Sequence, residues 1–327
     1  MRKHFLTLLL AALLFLPGCA QTPETPEEAP PEDMPQQEEA SRSDAAQTFI
    51  DDLGREVSLE PPKRVAAMIG SFADIWILAG GRDTLTAAAH DSWTSFDLDL
   101  DDSVIDIGAV KDPSLETLLA SEPDLILASC NTAADRELLD TFDQAGLRAA
   151  YFDVENFDDY LRMLETCTQL TGCPENFETY GTAVKEQVDA AAARQDGSAP
   201  KVLYVRASGS SCKVKGSSGN VLGEMLSNLG CVNIADSDET LLENLSLEAI
   251  IAADPDYIFV VLQGVGKTVE EAQAVLEQTL LSNPAWEGLR AVREGRFYTL
   301  EHALYNLKPN ARWGEAYEAL AGILYPQ

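Results

Sequence analysis

Short apolar runs alternate with segments of helical periodicity from residue 49 to the end of the chain. Eight of these runs have the length of a buried β-strand. They comprise residues 65–69, 85–89, 104–107, 125–128, 149–152, 202–205, 257–262 and 297–300. Because strands that alternate with helices are typical of parallel sheets covered by helices, the pattern predicts an α/β protein with two Rossmann-like lobes and mostly parallel sheets.

An internal repeat divides the chain into two similar halves. Residues 114–126 read SLETLLASEPDLI and residues 246–258 read SLEAIIAADPDYI, with seven of thirteen positions identical. In each copy a serine precedes a predicted helix, and a Pro-Asp pair separates that helix from the next strand. We therefore expect an N-terminal lobe at residues 48–173 and a C-terminal lobe at residues 197–327.

The segment between the two predicted lobes has the periodicity of one amphipathic helix. Its apolar positions recur every three or four residues and share one face, namely Phe177, Tyr180, Val184, Val188 and Ala191. At about 1.5 Å per residue, a helix of about 20 residues is roughly 30 Å long. Residues 174–196 are therefore predicted to form a single helix that joins the lobes.

The first 47 residues have the pattern of a leader followed by a tether. Arg2 and Lys3 precede an apolar run at residues 5–15, which is too short to span a bilayer but has the length of a signal-peptide core. The ending Leu-Pro-Gly-Cys resembles a bacterial lipoprotein signal, so residues 1–18 are predicted to be removed and Cys19 to carry lipid. Residues 19–47, rich in proline and acidic residues, predict an extended tether. The folded part is expected outside the cytoplasm, anchored to the cell membrane.

The composition excludes several classes of function. Acidic residues outnumber basic residues by 54 to 23, and the net charge of -31 argues against nucleic acid as a partner. Only His90 and His302 remain beyond the leader, which are too few for a metal site built from histidines. The chain also lacks the motifs of nucleophilic and nucleotide-dependent enzymes, so we expect no enzymatic activity.

The cysteine count allows two interpretations. Beyond Cys19 there are five cysteines, an odd number that leaves at least one unpaired: Cys130, Cys167, Cys173, Cys212 and Cys231. Export permits a disulfide, and Cys212 with Cys231 is the candidate pair because both lie in one half of the chain. Alternatively, all five are thiols that pack as small apolar side chains.

The order of several short motifs resembles one known family. Asp52, Gly54 and Arg55, followed by Pro61 and Arg64, resemble the entry hairpin of the helical-backbone substrate-binding proteins of ABC importers, the ferric-siderophore, haem and cobalamin type. The two Pro-Asp turns and the sequence NPAW at residues 283–286 are similar to later landmarks of that family. The resemblance implies a monomer that binds a small-molecule ligand between two lobes and delivers it to a permease and its ATPase.

The resemblance also implies a docking contact, because the family presents one acidic residue from each lobe to the permease. Asp74 and Glu224 occupy the matching positions in the helices that follow the first strand of each half. Asp74 departs from the glutamate usual in the family and has a shorter reach. An acid near a helix N-terminus is also stabilised by the helix dipole, which is the alternative explanation for both residues.

Ligands of open α/β sheets bind beyond the carboxyl ends of the strands. Candidates at such positions are His90, Trp93 and Asn131 in the first half and Arg206, Lys213 and Tyr305 in the second. The two cations suit an anionic ferric chelate, and the indole offers a stacking surface. A histidine with a tyrosine opposite would ligate haem iron. Ordinary surface roles remain the alternative for His90 and Arg206.

The predicted function is the capture of an iron complex for import. We place a ferric siderophore first, then haem or cobalamin. The iron complex is the transported ligand, and no intrinsic cofactor is expected. A ligand-sensing or adhesive lipoprotein with the same fold and no transport role is the alternative.

Overall fold

The computed structural model describes residues 46–264 and 266–326, which belong to one compact unit. The predicted leader, Cys19 and the tether up to residue 45 lie outside the described residues. Gln47, placed in the tether by the sequence, is already the first residue of a strand. Within the described ranges, no helix has both the length and the apolar composition needed to cross a bilayer.

The strands of the described chain follow the predicted pattern. They are β1 (Gln47–Ile50), β2 (Glu56–Leu59), β3 (Val65–Ala67), β4 (Leu85–Ala88), β5 (Ile105–Asp106), β6 (Gly108–Ala109), β7 (Asp112–Pro113), β8 (Leu125–Ser129), β9 (Ala149–Phe152), β10 (Lys201–Ala207), β11 (Cys212–Lys215), β12 (Val232–Asn233), β13 (Tyr257–Leu262) and β14 (Phe297–Leu300). Each of the eight apolar runs predicted as strands overlaps one of them.

The helices fill the intervals between the strands. The α-helices are α1 (Gly70–Leu78), α2 (Asp91–Thr94), α3 (Leu115–Ala120), α4 (Ala133–Glu137), α5 (Leu139–Ala145), α6 (Phe157–Thr171), α7 (Glu175–Phe177), α8 (Ala183–Ala192), α9 (Val221–Asn228), α10 (Glu239–Asn244), α11 (Leu247–Ala253), α12 (Lys267–Leu276), α13 (Arg290–Arg293), α14 (His302–Tyr305) and α15 (Trp313–Leu324). Two π-helical turns, Glu178–Thr182 and Glu277–Leu281, continue α7 and α12.

Two five-stranded sheets organise these elements. The first has the order β5-β4-β3-β8-β9, and all its pairs are parallel. The second has the order β11-β10-β13-β14, in which β10, β13 and β14 are parallel and β11 is antiparallel; β12 also pairs with β10. The predicted α/β fold with mostly parallel sheets is thus confirmed.

One hydrophobic core joins the two sheets. Alternate residues of β3 and β8, such as Ala67 and Leu127, share this core with Tyr204 of β10 and Phe259 of β13. Helices α1, α6, α8, α9 and α15 supply its central layer, which includes the fully buried Trp313. The opposite face of each sheet packs in a separate cluster. The two halves therefore share a core and do not fold around two independent ones.

The connecting segment is helical from residue 175 to residue 192, with a π-helical turn in its first half. Val184 and Val188 are buried, as their predicted stripe requires, while Phe177 and Tyr180 are half-buried against the same core. The Tyr160 hydroxyl donates a hydrogen bond to the Tyr180 carbonyl within the π-helical turn (2.8 Å). This bond satisfies a carbonyl where the regular α-helical ladder is interrupted.

The repeated units begin with the same helix cap. The Ser114 hydroxyl accepts a hydrogen bond from the Thr117 backbone N–H, and the Ser246 hydroxyl accepts one from Ala249; both distances are 3.2 Å. Each serine has an extended backbone that turns the chain into the helix. Both predicted N-caps are therefore confirmed.

The repeated units also end alike. Glu122 and Asp254, the residues before each Pro-Asp pair, adopt left-handed backbone conformations with φ of 46° and 43°. The carboxylates of Asp124 and Asp256 then accept backbone N–H bonds from Lys63 (2.9 Å) and Lys201 (2.8 Å), at the start of the neighbouring strand. The aspartate of each Pro-Asp pair thus aligns two parallel strands at their amino ends.

The described cysteines are free thiols, so the candidate disulfide between Cys212 and Cys231 is absent from this structure. The reason lies in the packing. Cys212 contacts the outer cluster of the second sheet, whereas Cys231 contacts the central core. Burial raises the pKa of Cys212 to about 11 and that of Cys231 to about 12, which disfavours the reactive thiolate form.

A buried carboxyl group supports the carboxyl end of β8. Asp135 is fully buried, and its Oδ2 accepts the Ser129 backbone N–H (2.7 Å). Its Oδ1 has no hydrogen-bond partner among the described residues. Burial raises the pKa of Asp135 to about 7, against the opposing effect of the Ser129 bond, and the nearby Asp91 carboxylate raises it further. In the folded protein the neutral acid is therefore favoured below about pH 7 at this position.

The two serine caps should contribute equally to stability. Ser114→Ala and Ser246→Ala are each expected to lower the free energy of unfolding by about 1 kcal/mol, measured by urea denaturation. Ser218→Ala is the control, because this exposed serine caps no helix, and it should change stability by less than roughly 0.5 kcal/mol. An unchanged stability in both cap variants would show that the repeated caps are not stabilising.

Asp135→Asn should remove a pH dependence of stability. The unfolded chain loses this proton near pH 4 and the folded chain near pH 7, so the folded state binds more protons between these values. The free energy of unfolding of the native protein should thus fall there by up to about 1.4 kcal/mol per pH unit relative to the variant. Urea denaturation across this range tests the difference, with the exposed Asp140→Asn as control. Parallel profiles for the native protein and Asp135→Asn would contradict it.

Candidate functional site

Residues that follow the carboxyl ends of parallel strands in the two sheets lie close together, and we call the space between these strand ends the cleft. Lys308 follows β14 in the second sheet, yet its ammonium lies 5.9 Å from the centre of the Phe72 ring in α1, which follows β3 of the first sheet. The carboxylates of Asp153, Glu155 and Asp91, which follow β9 and β4, attract the same ammonium. This juxtaposition gives the cleft one wall from each sheet.

The wall of the second sheet is cationic. Arg206 in β10 lies opposite Lys213 in β11, and Tyr204 lies opposite Lys215. Because opposite residues in an antiparallel pair project from the same face, the three cations share the face on which Tyr204 enters the central core. Cross-strand like charges repel, so this arrangement has an electrostatic cost in the absence of an anion.

A hydrogen-bonded amide orients the arginine. The Arg206 guanidinium and the Gln263 amide both donate to Oδ1 of Asn306, each at 3.3 Å. His302 lies near them, and burial together with the positive charge of Arg206 lowers its pKa, so the neutral imidazole is favoured. Arg206, Gln263 and Asn306 come from three successive parallel strands or the loops after them, as expected for a site at the carboxyl edge of a sheet.

Three half-buried cations of the described chain have no carboxylate oxygen within 4 Å: Arg206, Lys215 and Lys308. Burial lowers the pKa of Lys215, and the charges of Arg206 and Lys213 lower it further. Burial likewise lowers the pKa of Lys308. In a chain with 54 acidic residues, cations that are partly desolvated and unpaired leave room for an anion from outside the chain.

The wall of the first sheet is polar and acidic. His90 follows β4, and its Nδ1 lies 2.6 Å from the Asp106 carboxylate, while most of the imidazole is exposed. Asn131 follows β8 and donates to the Asp153 carboxylate (2.6 Å). Trp93 in α2 is half-buried and packs partly on the central core, so only part of the indole is available for stacking.

Tyr305, which the sequence predicts to face the ligand, is buried in the core. Its side chain is 3% exposed, and its hydroxyl donates to the Ala316 carbonyl (3.1 Å). Burial raises its pKa far above that of a free tyrosine, so the tyrosinate form is disfavoured. Tyr305 therefore belongs to the central core in this structure and does not face His90 across a ligand.

The two acids assigned to docking have different environments. Asp74 is the fifth residue of α1, not its first, and its Oδ2 accepts a hydrogen bond from the Asn310 side chain (2.8 Å). Burial raises its pKa, while the Asn310 bond opposes the shift. It lines a cavity of about 280 Å³ together with Leu78, Lys308 and Pro309. Glu224, in the first turn of α9, lines a separate cavity of about 280 Å³ beside α8.

Three residues of the site are not among the ligand-binding residues that the sequence predicts, although Lys308 could be expected from the sequence either to cap a helix or to frame the cleft. Asn306, Lys308 and Asn310 follow the last strand in a stretch without regular periodicity. The positive φ of 52° at Asn310 is the feature closest to a sequence signal, because asparagine tolerates the left-handed region better than most residues. The described residues contain no group of three or more histidine, cysteine or acidic side chains arranged to hold a metal ion.

Comparisons with known proteins agree with this architecture. Residues 65–304 match the model of the periplasmic binding protein family. The putative ABC transporter substrate-binding lipoprotein YhfQ of Bacillus subtilis is 22% identical over 271 residues, which cover 79% of this chain and 81% of YhfQ.

Solved structures share the fold at low sequence identity. The periplasmic haem-binding protein RhuT of Roseiflexus superposes with a TM-score of 0.65 at 21% identity and covers 80% of this chain and 98% of RhuT. SirA of Staphylococcus aureus, solved with staphyloferrin B, gives a TM-score of 0.64 at 21% identity and covers 85% of this chain and 97% of SirA. Since the family model spans both sheets and the helix between them, the chain belongs to the periplasmic binding protein family.

Proposed function

We propose that the protein is the extracytoplasmic binding component of an ABC importer and captures an anionic iron complex between its two sheets. The observation that carries this proposal is the cationic wall formed by Arg206, Lys213 and Lys215 at the carboxyl edge of the second sheet. Arg206 is held by Asn306 and not by a carboxylate. Its guanidinium therefore keeps donors available for a ligand.

The energetic argument favours an anionic ligand over a neutral one. Two opposite charges 4 Å apart at a partly exposed site attract by about 4 kcal/mol. An anion beside the cationic wall would also relieve the repulsion among Arg206, Lys213 and Lys215. A ligand recognised mainly through neutral amides, such as cobalamin, would leave these charges unpaired. We therefore place cobalamin after the charged iron complexes.

Among anionic iron complexes we place a ferric siderophore first. Its charge is distributed around the chelate, which suits a wall of several cations. Haem is the second candidate because of one specific observation. The Nδ1 of His90 is bonded to Asp106, an arrangement that orients a histidine for metal ligation through Nε2. RhuT is a haem-binding protein and SirA binds staphyloferrin B, so the fold accommodates both kinds of ligand.

The proposal also includes how the protein is anchored, how its lobes hold the ligand and how it contacts the importer. The iron complex is cargo, and the protein is expected to be non-catalytic, without an intrinsic cofactor. Lipid on Cys19 would anchor a monomer to the membrane, with residues 19–47 as tether. Lobes at residues 48–173 and 197–327, joined by residues 174–196, would hold the ligand between them. Asp74 and Glu224 would contact the permease, which works with its ATPase.

Titration of the mature chain should identify the ligand class. A ferric tris-catecholate, ferric citrate, haemin and cyanocobalamin are added separately while tryptophan fluorescence and visible absorption are recorded. We expect saturable binding of an anionic iron complex. Because charge-assisted hydrogen bonds contribute about 1.5–3 kcal/mol each, Arg206→Gln with Lys213→Gln should weaken it by at least roughly tenfold.

Lys201→Gln is the matched control for this titration. It removes an exposed lysine from the opposite end of β10 and should leave affinity unchanged. Saturable binding that survives the Arg206 and Lys213 substitutions would refute the cationic wall as the ligand site. Binding of haemin alone, with its spectrum altered by His90→Ala, would select haem over the siderophore. No saturable response would remove the ligand assignment.

The docking acids should affect transport and not capture. Asp74→Asn combined with Glu224→Gln is expected to reduce uptake of the bound ligand into cells by about tenfold or more without weakening ligand affinity, because the permease would lose two charged contacts. Glu186→Gln, an exposed acid on α8, is the control. Uptake at the native rate would contradict the docking role. If the chain supports no uptake at all despite binding ligand, the sensing or adhesive alternative is favoured.

A further inference from the structure

Two residues on either side of Pro309 extend from the second half of the chain into the first. Lys308 places its ammonium over Phe72 and near Asp91, Asp153 and Glu155, at the ligand cleft. Asn310 places its amide against α1, and Lys308 also lines the cavity that Asp74 lines. We call residues 308–310 the clasp, the contact of Lys308 its inner contact and the contact of Asn310 its outer contact.

The outer contact of the clasp involves the docking acid. Asn310 is fully buried, and its Nδ2 donates to the Ser71 carbonyl (2.9 Å) and to the Asp74 carboxylate (2.8 Å). With one oxygen bound in this way and the side chain largely buried, Asp74 presents only part of its carboxylate to a partner. In this arrangement Asn310 competes with any cation that approaches Asp74.

The clasp is held in a strained state at Asn310. The backbone φ of 52° lies in the left-handed region, which asparagine tolerates better than most residues but at a higher cost than glycine. The buried Oδ1 of Asn310 has no hydrogen-bond partner among the described residues, which is a further cost. Both costs oppose the observed contact between Asn310 and Asp74, and a movement of the segment would relieve them.

The inner contact of the clasp is electrostatic. The Lys308 ammonium has no carboxylate oxygen within 4 Å in the described chain, although three carboxylates attract it. Its position thus depends on a balance of longer-range charges, which an anion entering the cleft would change. Pro309 makes the connection between Lys308 and Asn310 stiff, because its ring fixes one backbone angle and restricts the residue before it.

We propose that the clasp couples ligand binding to the exposure of the docking acid. An anionic ligand draws Lys308 away from the carboxylates of the first half, the movement passes through Pro309 to Asn310, and Asn310 releases Asp74 for the permease. This inference rests on the proposed function, because it takes the cleft as the ligand site and Asp74 as a docking residue. Asn310 acts as a positioning residue, since it touches neither the ligand nor the permease.

Linkage gives the coupling a distinctive signature. If a ligand favours the released clasp, then releasing the clasp by mutation must favour the ligand by the same factor. Asn310→Gly removes the amide and suits the left-handed backbone. It is therefore expected to tighten binding of the ferric tris-catecholate, or of haemin if that is the probe that saturates, by about threefold or more. Damage to the fold alone would weaken binding.

The tighter ligand binding expected for Asn310→Gly should depend on Lys308. In a Lys308→Met background the same Asn310→Gly change should leave ligand affinity unaltered, because this background lacks the ammonium that the anionic ligand would attract. Lys111→Met, which removes an exposed lysine of the first half, is the control background and should preserve the gain. Unchanged or weakened binding in Asn310→Gly, or a gain that persists without Lys308, would overturn the proposal.

A second experiment needs no ligand and uses the mature chain. Lys308→Met and Asp74→Asn are combined in a double-mutant cycle, with the equilibrium constant of unfolding measured in urea. Coupling through the clasp should make the double variant depart from the product of the single effects by about threefold or more. A direct attraction between the two charges would survive Asn310→Gly, whereas coupling through the clasp should disappear in that background.

The outcomes separate this inference from the proposed function. Additive effects of Lys308→Met and Asp74→Asn would refute the clasp even if the ligand titration succeeds. Non-additive effects that require Asn310, together with no saturable binding of any probe, would refute the ligand assignment while leaving the mechanical connection intact. Non-additivity that persists in Asn310→Gly would assign the coupling to charge alone and would overturn the role of Asn310.

Discussion

Both sheets bury one face against the same layer of helices, and the rest of the structure depends on this shared core. Neither half can move far from the other without exposing apolar residues such as Trp313 and Leu226 to water. The carboxyl edges of the sheets are therefore held facing each other at a nearly constant separation. A ligand site made from two such edges would be preorganised, and changes on binding would then be small movements of segments such as the one that we propose for Lys308.

The cleft is electrically asymmetric. Its second-sheet wall bears Arg206, Lys213 and Lys215 without neutralising carboxylates, whereas the first-sheet wall bears Asp91, Asp153 and Glu155. In a protein of net charge -31, the cationic wall attracts an anion locally while the surrounding surface repels it. If the proposed anion binds there, it would be selected by how well it fits the wall, because general attraction over the protein surface is lacking.

The sequence predicted the fold well because the fold depends on periodic burial. Eight apolar runs became strands, and Ser114 and Ser246 became caps, since each of these features is decided within a few neighbouring residues. The candidate site was predicted less completely. Which residues belong to the site depends on which side chains meet across the cleft. Tyr305 was predicted to bind ligand but is buried, because a tyrosine after a strand can equally well pack in a core. Lys308 and Asn310 contact residues more than 150 positions away in the chain. Contacts over such a sequence distance cannot be predicted from the local pattern of residues.

The π-helical turn in the connecting helix has a consequence for how this chain can vary. It separates α7, which packs beside α6 of the first half, from α8, which packs along α15 at the end of the chain. The rotation between the two segments is set at that turn, where Tyr160 binds the carbonyl of Tyr180. Substitutions that shift one half by a fraction of a helical turn can thus be absorbed there. The two halves can therefore adjust to such changes while the helix between them stays continuous.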